Sequence, residues 1–443
     1  MKDYFNIFLC RLRAVNSVRL VVLGYMSYIF IGFILLCLPI MHKNVVHPLD
    51  NLFIATSAVS TTGLTTVTIN NDYNFWGQLV ILILIQLGGI GYMTFSSFVI
   101  LSNKKYLDDS SKNIAQIVFS IPKNFKIEKF ILSVICFSVT VEIIGAIGLF
   151  FVFWHAGVEN PVWNAIFHSI SAFCTAGFSL FPNSFEGLAN NFSLNAIISI
   201  LSILGAMGFI VFVDVWRLVR GKEKHVTLTT KVIFSITFWL LLIGSALMFL
   251  TEIYGGGVAN ENRLMYSFFQ AMTAFTTVGF NTVAISTMSK SAIMLICILM
   301  IIGASPSGTG GGLKTTTFSA IWGLMKSAIK GDRKVRILGA TVPDDRVRMA
   351  VATLSFYIST LVIGTYLLML SEQGLFLDII FEAASALGTV GLSMGITATL
   401  TVLGKLIIIL MMYIGRVGPL TFGMAFYVKP ELIFDDEKTD LAI

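Results

Sequence analysis

Charged residues are scarce in this sequence of 443 residues. Asp, Glu, Lys and Arg together make up 12% of it, whereas hydrophobic residues make up 56%. Charged residues are about a quarter of a soluble globular protein, so this composition excludes an ordinary soluble protein. Apolar runs long enough to cross a bilayer lie at 18–40, 129–154, 229–253 and 348–370, and each is followed by a second one. The sequence therefore predicts a polytopic α-helical membrane protein.

Cysteine and histidine are also rare, with five of each. The cysteines form no Cys-x-x-Cys pair, so we expect small buried apolar side chains without a disulfide or metal. The histidines show no His-Glu-x-x-His spacing, and no Ser/His/Asp or paired-carboxylate pattern points to an enzyme. We expect no enzymatic activity and no covalently bound cofactor. The residues concerned are Cys10, Cys37, Cys136, Cys174 and Cys297, and His42, His47, His155, His168 and His225.

Basic residues are unevenly distributed. Of the 30 Lys and Arg, 24 fall in the stretches 1–19, 102–129, 217–231, 326–348 and 429–443. The positive-inside rule makes these stretches cytoplasmic and places both termini inside. The net charge of +6 then reflects topology rather than nucleic-acid binding. The apolar run at 18–40 lacks a small-residue cleavage site, so no cleavable signal peptide is expected.

One motif occurs four times, each time between two apolar runs. All copies share the pattern F-x3-[ST]-A-x2-T-x-G-[LF], and their glycines lie 114, 102 and 112 residues apart. Self-similarity at such a period indicates a repeated structural unit. The copies are FIATSAVSTTGL (53–64), FHSISAFCTAGF (167–178), FQAMTAFTTVGF (269–280) and FEAASALGTVGL (381–392).

Each unit consists of a span, a short helix, a glycine turn and a second span. The short helix of the first unit is expected from about residue 51 to 61, roughly 15 Å long, which is half of the ~30 Å hydrocarbon core. It must therefore enter the membrane and stop inside it. Asp50 and Asp378 are typical of helix N-termini, so the C-termini of these helices point toward the membrane centre.

The predicted fold is an all-α polytopic membrane protein of four fused span–pore helix–filter–span repeats around a pseudo-fourfold central pore. The repeats are expected at 18–101, 129–219, 229–329 and 348–428, between a cytoplasmic N-terminus (1–17) and a cytoplasmic C-terminus (429–443). Four copies in one direction differ from the two inverted repeats of many secondary transporters. A secondary transporter for an organic solute is therefore the less favoured architecture.

After each short helix the chain returns through T-x-G-[LF]. Non-helical backbone at that depth is tolerated only where protein buries it or where it lines a water-filled path. Four such segments around one axis would form a ring of carbonyl oxygens, which can replace the hydration shell of a cation. For any single copy, a helix break at a packing contact is the alternative. The predicted filter residues are Thr61, Thr62, Gly63, Leu64, Thr175, Ala176, Gly177, Phe178, Thr277, Val278, Gly279, Phe280, Thr389, Val390, Gly391 and Leu392.

The second span of the third unit is interrupted by IIGASPSGTGGGLKTTT (301–317). Ile302 lies 16 positions before Phe318, whereas the aligned Ile414 lies 8 positions before Phe422. Eight residues are therefore inserted below the third filter segment. A flexible polar loop at that depth fits best inside the conduction path, and we interpret it as a gate.

Two other interpretations of this loop are a P-loop and a simple kink. Leu313 separates the last glycine from Lys314, and no strand precedes the loop, which disfavours a nucleotide site. A kink needs one Gly or Pro rather than eight extra residues. The loop is expected at 303–313, and the predicted gate residues are Gly303, Ala304, Ser305, Pro306, Ser307, Gly308, Thr309, Gly310, Gly311, Gly312, Lys314 and Arg416.

Arg416 is unusual because it lies in an apolar span. It stands where the aligned spans have Gly89 and Ala206, so among these aligned spans only the fourth repeat has a charge there. An arginine at the membrane centre costs about 2.5–3.5 kcal/mol and usually faces a cavity. We interpret it as an electrostatic barrier below the filter. The alternative is a structural ion pair, with Glu142 or Asp214 as the partner.

The remaining charges near spans are less informative. Glu142, Asp214 and Glu382 are candidates for ion coupling, although pairing is the more common role, and Glu382 is expected early in the fourth pore helix, where the helix dipole accounts for it. The basic runs VRGKEKH (219–225) and KGDRKVR (330–336) fit topology, with docking of a regulatory partner as a second role.

The four motif copies resemble those of the Trk/Ktr/HKT superfamily of potassium transporters, over residues 18–430. Without extra N-terminal spans, the chain is more similar to the bacterial Ktr membrane subunit than to Trk. The resemblance implies K⁺ bound by the first three filter residues of each copy, at 61–63, 175–177, 277–279 and 389–391. It also implies Na⁺-stimulated uptake, a homodimer in a bacterial plasma membrane with one pore per protomer, and a cytoplasmic ring of nucleotide-binding regulatory subunits.

The filter motif departs from that of a potassium channel. Each copy has one glycine where the TVGYG filter has two, so we expect weaker discrimination among K⁺, Rb⁺ and Na⁺. Some HKT relatives carry serine at the first filter position and favour sodium, so Gly63 supports potassium. A Na⁺-selective HKT-like cation transporter remains the alternative.

Overall fold

The computed structural model describes residues 17–91, 127–221, 223–254 and 262–427. The sequence-based predictions for residues 1–16, for most of the basic stretch 102–129 and for the C-terminal stretch 429–443 lie outside the described residues.

The described chain is almost entirely α-helical, with sixteen α-helices. They are α1 (Ser17–Leu36), α2 (Pro48–Ser60), α3 (Ile69–Asp72), α4 (Phe75–Ile90), α5 (Ile127–His155), α6 (Pro161–Phe173), α7 (Phe192–Met207), α8 (Phe209–Val219), α9 (Leu228–Tyr254), α10 (Arg263–Thr276), α11 (Lys290–Ile301), α12 (Thr315–Lys330), α13 (Asp344–Ser371), α14 (Phe376–Gly388), α15 (Val402–Val417) and α16 (Pro419–Tyr427). Four of them, α1, α5, α9 and α13, are long and apolar enough to cross a membrane. The predicted all-α membrane fold is confirmed.

Long helices lie outside and short helices lie inside. In each long helix only 28% of the most apolar eighteen-residue window is buried within the protein, which leaves a broad apolar face for lipid. By contrast, α10 buries ten of its fourteen residues. The core of the molecule therefore surrounds the short helices that carry the four motifs.

The four short helices are too short to span a bilayer. Helices α2, α6 and α14 have 13 residues and α10 has 14, which is about 20 Å at 1.5 Å per residue. Helix α2 begins at Pro48, where a missing N–H costs nothing, and the ring of His47 accepts a hydrogen bond from the Leu49 N–H at 3.2 Å. Its observed range of 48–60 lies within three residues of the prediction.

The second spans are broken in the middle, which differs from the single spans that the sequence predicts. Helices α7 and α8 are bent by 90° from each other, and α15 and α16 by 94°. The breaks fall at Gly208 and Gly418, whose φ angles of 87° and 92° lie in the left-handed region that favours glycine. The second glycine of the aligned LGAMG and IGRVG segments is the sequence signal for this break. In the third repeat, residues 302–314 separate α11 from α12.

A short β-hairpin joins α12 to α13. Strand β1 (Arg336–Ile337) pairs antiparallel with β2 (Ala340–Thr341). Val335 and Ile337 are buried against α12, while the charged residues just before them are exposed. The basic run 330–336 is thus held on the surface by two apolar anchors.

Candidate ion pore and the loop beneath it

The four motif threonines adopt an unusual backbone conformation. Thr61, Thr175, Thr277 and Thr389 have φ angles between 49° and 59°, in the left-handed region that β-branched residues avoid. The glycine two residues later also has a positive φ in each copy, between 64° and 93°. Alternation of this kind brings successive carbonyl oxygens onto one side, as a carbonyl-lined path requires. Strain at four equivalent positions indicates a shared functional constraint.

The Ser or Thr at the fifth motif position fastens each T-x-G segment to its own pore helix. Its backbone carbonyl accepts from the N–H of the residue after the motif threonine, at 2.8–3.2 Å. In two copies its hydroxyl accepts from the glycine N–H at 3.1 and 3.0 Å. In the other two it donates to the carbonyl of the last motif residue, at 2.8 and 2.7 Å. These residues are Ser57, Ser171, Thr273 and Ser385.

The four motif glycines form a closed ring. A Cβ atom built on any of them would collide with the carbonyl oxygen of the residue that precedes the glycine in the next repeat. The contacts pair Gly63 with Ala176, Gly177 with Val278, Gly279 with Val390 and Gly391 with Thr62. Repeat one therefore touches repeat two, and so on until repeat four touches repeat one. The four segments surround a single axis in chain order.

The predicted filter residues fall into two groups in this ring. The second and third residues of each copy provide the backbone that approaches the neighbouring segment, and the first is the threonine with a positive φ. The fourth is an apolar anchor that is at most 1% exposed: Leu64, Phe178, Phe280 and Leu392. All sixteen predicted residues are thus brought together, but the side chains of the last four serve packing.

The loop of the third repeat contacts two of the motif threonines at the end of the ring where their hydroxyls lie, which we call its lower end. The hydroxyl of Thr61 donates to the Thr309 carbonyl at 3.3 Å. The Thr309 hydroxyl lies 3.0 Å from the Thr175 hydroxyl and donates to the Phe173 carbonyl at 3.1 Å. Thr309 therefore bridges the first and second repeats at the lower end of the ring.

The next two loop residues lie beneath the other two threonines. A Cβ on Gly310 would collide with the Thr277 hydroxyl, and a Cβ on Gly311 would collide with the Thr389 hydroxyl. Glycine is needed here because the loop backbone approaches the ring too closely for any side chain. Three consecutive loop residues, 309–311, thus lie against all four motif threonines.

The loop satisfies much of its polar backbone internally. The Gly303 N–H donates to the Leu313 carbonyl at 3.0 Å, and the Leu313 N–H donates to the Ile301 carbonyl at 3.1 Å. The Lys314 ammonium donates to the Gly310 carbonyl at 2.6 Å. Lys314 therefore holds its own loop beneath the ring, which argues against the P-loop interpretation.

The loop also docks on the break between α7 and α8. The Ser305 N–H donates to the Ala206 carbonyl at 3.0 Å, and the Phe209 N–H donates to the Ser307 carbonyl at 3.1 Å. A broken helix leaves terminal carbonyls and N–H groups without intrahelical partners. Because the break at Gly208 exposes both kinds of group, it forms a receptor for the loop.

Arg416 connects the loop, the ring and a neighbouring span. Its guanidinium donates to the Thr61 hydroxyl at 2.9 Å and also to the carbonyls of Thr309 and Gly88. The Tyr25 ring lies 5.9 Å from the guanidinium carbon. A positive charge therefore lies at the lower end of the ring and holds the loop there through a charge-assisted hydrogen bond.

Comparison with known proteins places the chain in a family. The family model TrkH, described as a cation transport protein, matches residues 26–433. This chain belongs to the TrkH family. The resemblance drawn from the four motifs is therefore confirmed.

Two curated relatives of this TrkH-family chain match it over most of its length. It is 34% identical over 413 residues to the Ktr system potassium uptake protein B of Bacillus subtilis, with 92% of each chain covered. It is 35% identical over 429 residues to the potassium/sodium uptake protein NtpJ of Enterococcus hirae, with 94% of each chain covered. The crystal structure of the potassium transporter TrkH from Vibrio parahaemolyticus shares the fold, with a TM-score of 0.75 at 18% identity, covering 92% of this chain and 84% of that one.

The two acids considered as ion-pair partners of the arginine bind other groups. Glu142 accepts from the Gln86 side chain, with both carboxylate oxygens 2.9 Å from its nitrogen, and Cys174 contacts the same pair. Asp214 accepts from the N–H and hydroxyl of Thr227 at 2.7 and 3.0 Å. Nothing in the local sequence identifies Gln86 as the partner of Glu142, because the two residues lie 56 positions apart.

The cysteines described in this TrkH-family structure are free thiols with different exposures. Cys174 and Cys297 are buried, as expected for small apolar side chains, and Cys37 is half-buried. Cys136 is exposed on α5, where the helix surface is apolar. It differs from the expectation because an apolar segment in a membrane helix need not face the protein core.

Proposed function

We propose that this TrkH-family protein carries K⁺ into the cell through the ring of four T-x-G segments. The closed contact of each glycine with the next repeat is the observation that supports this function most strongly. A ring of backbone carbonyls can replace the water around a dehydrated cation. Two relatives whose names specify potassium or potassium/sodium uptake add support.

In this proposal K⁺ is held by backbone and threonine oxygens. The ligands come from residues 61–63, 175–177, 277–279 and 389–391, and the threonine hydroxyls lie at the end of the ring that faces the loop. No enzymatic activity and no covalently bound cofactor are part of this function.

The loop at 302–314 and Arg416 act as the gate. In this proposal, the closed state is the one with Thr309 under the ring and the guanidinium beside it, and the contacts of Thr309 with Thr61 and Arg416 support it. Opening requires the loop to leave the ring, which breaks the bonds of Thr309 to Thr61 and to Arg416.

The cellular setting follows from the family resemblance and the charge pattern. We place the protein in a bacterial plasma membrane as a homodimer, with both termini and the basic runs in the cytoplasm. Nucleotide-binding regulatory subunits form a ring on that face, and Na⁺ stimulates uptake without being a resident cofactor.

A Na⁺-selective transporter is the second candidate. Each filter segment has one glycine, so fewer oxygens are fixed by backbone than in a potassium channel. The relative named a potassium/sodium uptake protein also keeps this candidate open.

Uptake in a host without its own potassium systems tests the proposed function. Cells expressing the chain should grow at micromolar to millimolar K⁺ and accumulate ⁸⁶Rb⁺, with and without added Na⁺ as separate arms. Na⁺ uptake without Rb⁺ uptake would favour the second candidate. If the protein is in the membrane but neither ion enters, co-expression of a regulatory ring distinguishes a missing partner from a wrong filter assignment.

Gly63→Ser is expected to shift the ion preference toward Na⁺. The new side chain would collide with the Ala176 carbonyl and place a hydroxyl in the ring. We expect the K⁺-over-Na⁺ preference to fall by about tenfold, a difference of roughly 1.4 kcal/mol between the two ions. Competition of K⁺ and Na⁺ against ⁸⁶Rb⁺ uptake measures it, with Gly63→Ala as a control for volume alone. An unchanged preference in the serine variant would contradict the filter assignment.

Arg416→Ala is expected to raise the maximal uptake rate. The change removes a positive charge and the bond to Thr309, so we expect an increase on the order of tenfold, equal to about one charge-assisted hydrogen bond. Arg416→Lys keeps the charge without the planar fork that reaches Thr61 and Thr309 together. If Arg416→Lys takes up ions as slowly as the wild type while Arg416→Ala is fast, the positive charge itself is the barrier. If Arg416→Lys is as fast as Arg416→Ala, the hydrogen bonds of the guanidinium to Thr61 and Thr309 hold the gate closed. Wild-type rates in both variants would leave Arg416 a purely structural residue.

A further inference from the structure

The second residue of the motif differs among the four copies, although the phenylalanine before it is shared by all four. It is Ile54, His168, Gln270 and Glu382 in chain order. All four are buried, and the three polar ones are 0% exposed. A buried polar side chain in a membrane protein is costly unless it is hydrogen-bonded. The partners of these three residues therefore indicate what the position does.

In the fourth repeat this residue ties the pore helix to the segment that leaves the filter. Glu382 is the seventh of the thirteen residues of α14, which corrects the expectation that it lies early in the helix. Its carboxylate accepts from the Ser393 hydroxyl at 2.9 Å and from the Thr397 hydroxyl. Ser393 lies two residues after Gly391 and also accepts from the Gly395 N–H at 2.9 Å. The helix dipole is therefore not the reason for a carboxylate here.

In the second repeat the tie is a histidine. The Leu180 N–H donates to His168 Nε2 at 3.3 Å, and the Ser179 hydroxyl lies 3.0 Å from the same nitrogen. The other ring nitrogen, Nδ1, lies 2.8 Å from the Asn164 carbonyl, to which it donates. This assignment gives a neutral ring that accepts at one end and donates at the other. Ser179 lies two residues after Gly177, the same offset as in the fourth repeat.

The third repeat has a longer hydrogen bond from the same motif position to a residue one place further along, and the first repeat lacks it. Gln270 Nε2 lies 3.4 Å from the Thr282 hydroxyl, three residues after Gly279. In the first repeat Ile54 has no polar atom in its side chain. Thr66 occupies the place of Thr282 by register, and its hydroxyl is buried without a hydrogen-bond partner among the described residues.

We propose that His168, Gln270 and Glu382 are positioning residues of the ion filter. Each holds the segment that leaves the filter against its pore helix, and so fixes the ring oxygens at that end. Three of the four repeats have this additional restraint, and the first is held to its pore helix by Ser57 without it. This inference rests on the proposed function, because a positioning role has meaning only if ions pass through the ring.

Selectivity is the property that such ties should control. Discrimination between cations of different size depends on the number, spacing and field strength of the oxygens that surround the ion. A segment released at Ser393 can shift the carbonyl of Gly391, two residues earlier. Loss of a tie should therefore lower the preference for K⁺ over Na⁺ in uptake, while the amount of folded protein in the membrane stays close to that of the wild type.

The chain itself supplies the matched substitutions. Glu382→Ile introduces the residue of the first repeat and removes the tie, whereas Glu382→Gln introduces the residue of the third repeat and retains hydrogen bonding. We expect the K⁺-over-Na⁺ preference to fall about fivefold or more in the Ile variant and to stay within about twofold in the Gln variant, as loss of one buried hydrogen bond predicts. Competition against ⁸⁶Rb⁺ uptake gives the preference, and membrane abundance is measured alongside it.

Ser393→Ala removes one of the two hydroxyls that donate to Glu382, the one nearer the filter, and is the deciding variant if Glu382→Ile does not fold. A reduced preference in Ser393→Ala supports the inference. Wild-type preference in a folded Glu382→Ile overturns it, and so does wild-type preference in Ser393→Ala if Glu382→Ile does not fold, even though K⁺ uptake itself continues. Failure of the wild-type chain to take up K⁺, with regulatory subunits present, would instead overturn the proposed function and this inference with it.

Discussion

Potassium uptake is expected to fall by about two orders of magnitude when Gly279 is replaced by alanine. The new Cβ would enter the space of the Val390 carbonyl in the next repeat. Overpacking costs about 1–3 kcal/mol, and a side chain in the left-handed region costs roughly 1–2 more. If about 2.7 kcal/mol of this cost falls on the ion-binding conformation of the ring, ion binding weakens about a hundredfold. Initial rates of ⁸⁶Rb⁺ uptake, normalised to membrane abundance, measure the effect.

A matched control separates collision in the ring from backbone strain. Gly157 has a φ of +70°, close to the +82° of Gly279, but a Cβ there would meet nothing within 4 Å. Gly157→Ala therefore carries the same kind of strain without a filter contact, and it should keep near wild-type uptake. If Gly279→Ala transports as fast as Gly157→Ala at equal abundance, the glycine ring is not the ion path.

Excision of residues 304–311 is expected to raise ion flux and weaken its regulation. The deletion gives the third repeat the eight-residue spacing found from Ile414 to Phe422. It is geometrically feasible because a Cβ on Gly303 would lie only 2.8 Å from the Cα of Gly312, so the cut ends are adjacent. We expect a rise on the order of tenfold or more, since lowering a barrier by about 1.4 kcal/mol already gives that factor.

Thr309→Val tests the same gate without shortening the chain. It keeps the volume of the loop but removes the hydroxyl that contacts Thr175 and Phe173. An increase smaller than that of the excision is expected, because the bonds to the Thr309 carbonyl remain. Low, normally regulated flux in the excised protein, with the protein folded in the membrane, would contradict the gate.

Much of the fold and of the candidate pore can be predicted from the sequence. A T-x-G segment after a short apolar helix needs a special backbone, and four copies at a regular period reveal a repeated unit. Alignment of the second spans also located the loop, because Ile302 and Phe318 are twice as far apart as their counterparts in the fourth repeat. These features are local, so periodicity and spacing are enough to find them.

Contacts between distant residues could not be predicted in this way. Arg416 lies 355 residues from Thr61 and 107 from Thr309, and nothing in its local sequence identifies those partners. The alternative interpretation of Arg416 as half of an ion pair named carboxylates as its partners, whereas the structure provides carbonyls and a hydroxyl. The ties of His168 and Glu382 were missed for a related reason: the motif position that they occupy varies, and only the shared offset of their partners reveals the common role.

The most direct test of the central claim is to locate the ion in the ring. Structures of the protein in Rb⁺ and in Na⁺, with anomalous scattering for Rb⁺, show where the cation binds. The ring of T-x-G segments predicts Rb⁺ density on the axis, surrounded by Gly63, Gly177, Gly279 and Gly391 and their preceding carbonyls, and above Thr309. An empty axis in a protein that takes up Rb⁺, or Rb⁺ bound only away from these four segments, would contradict it.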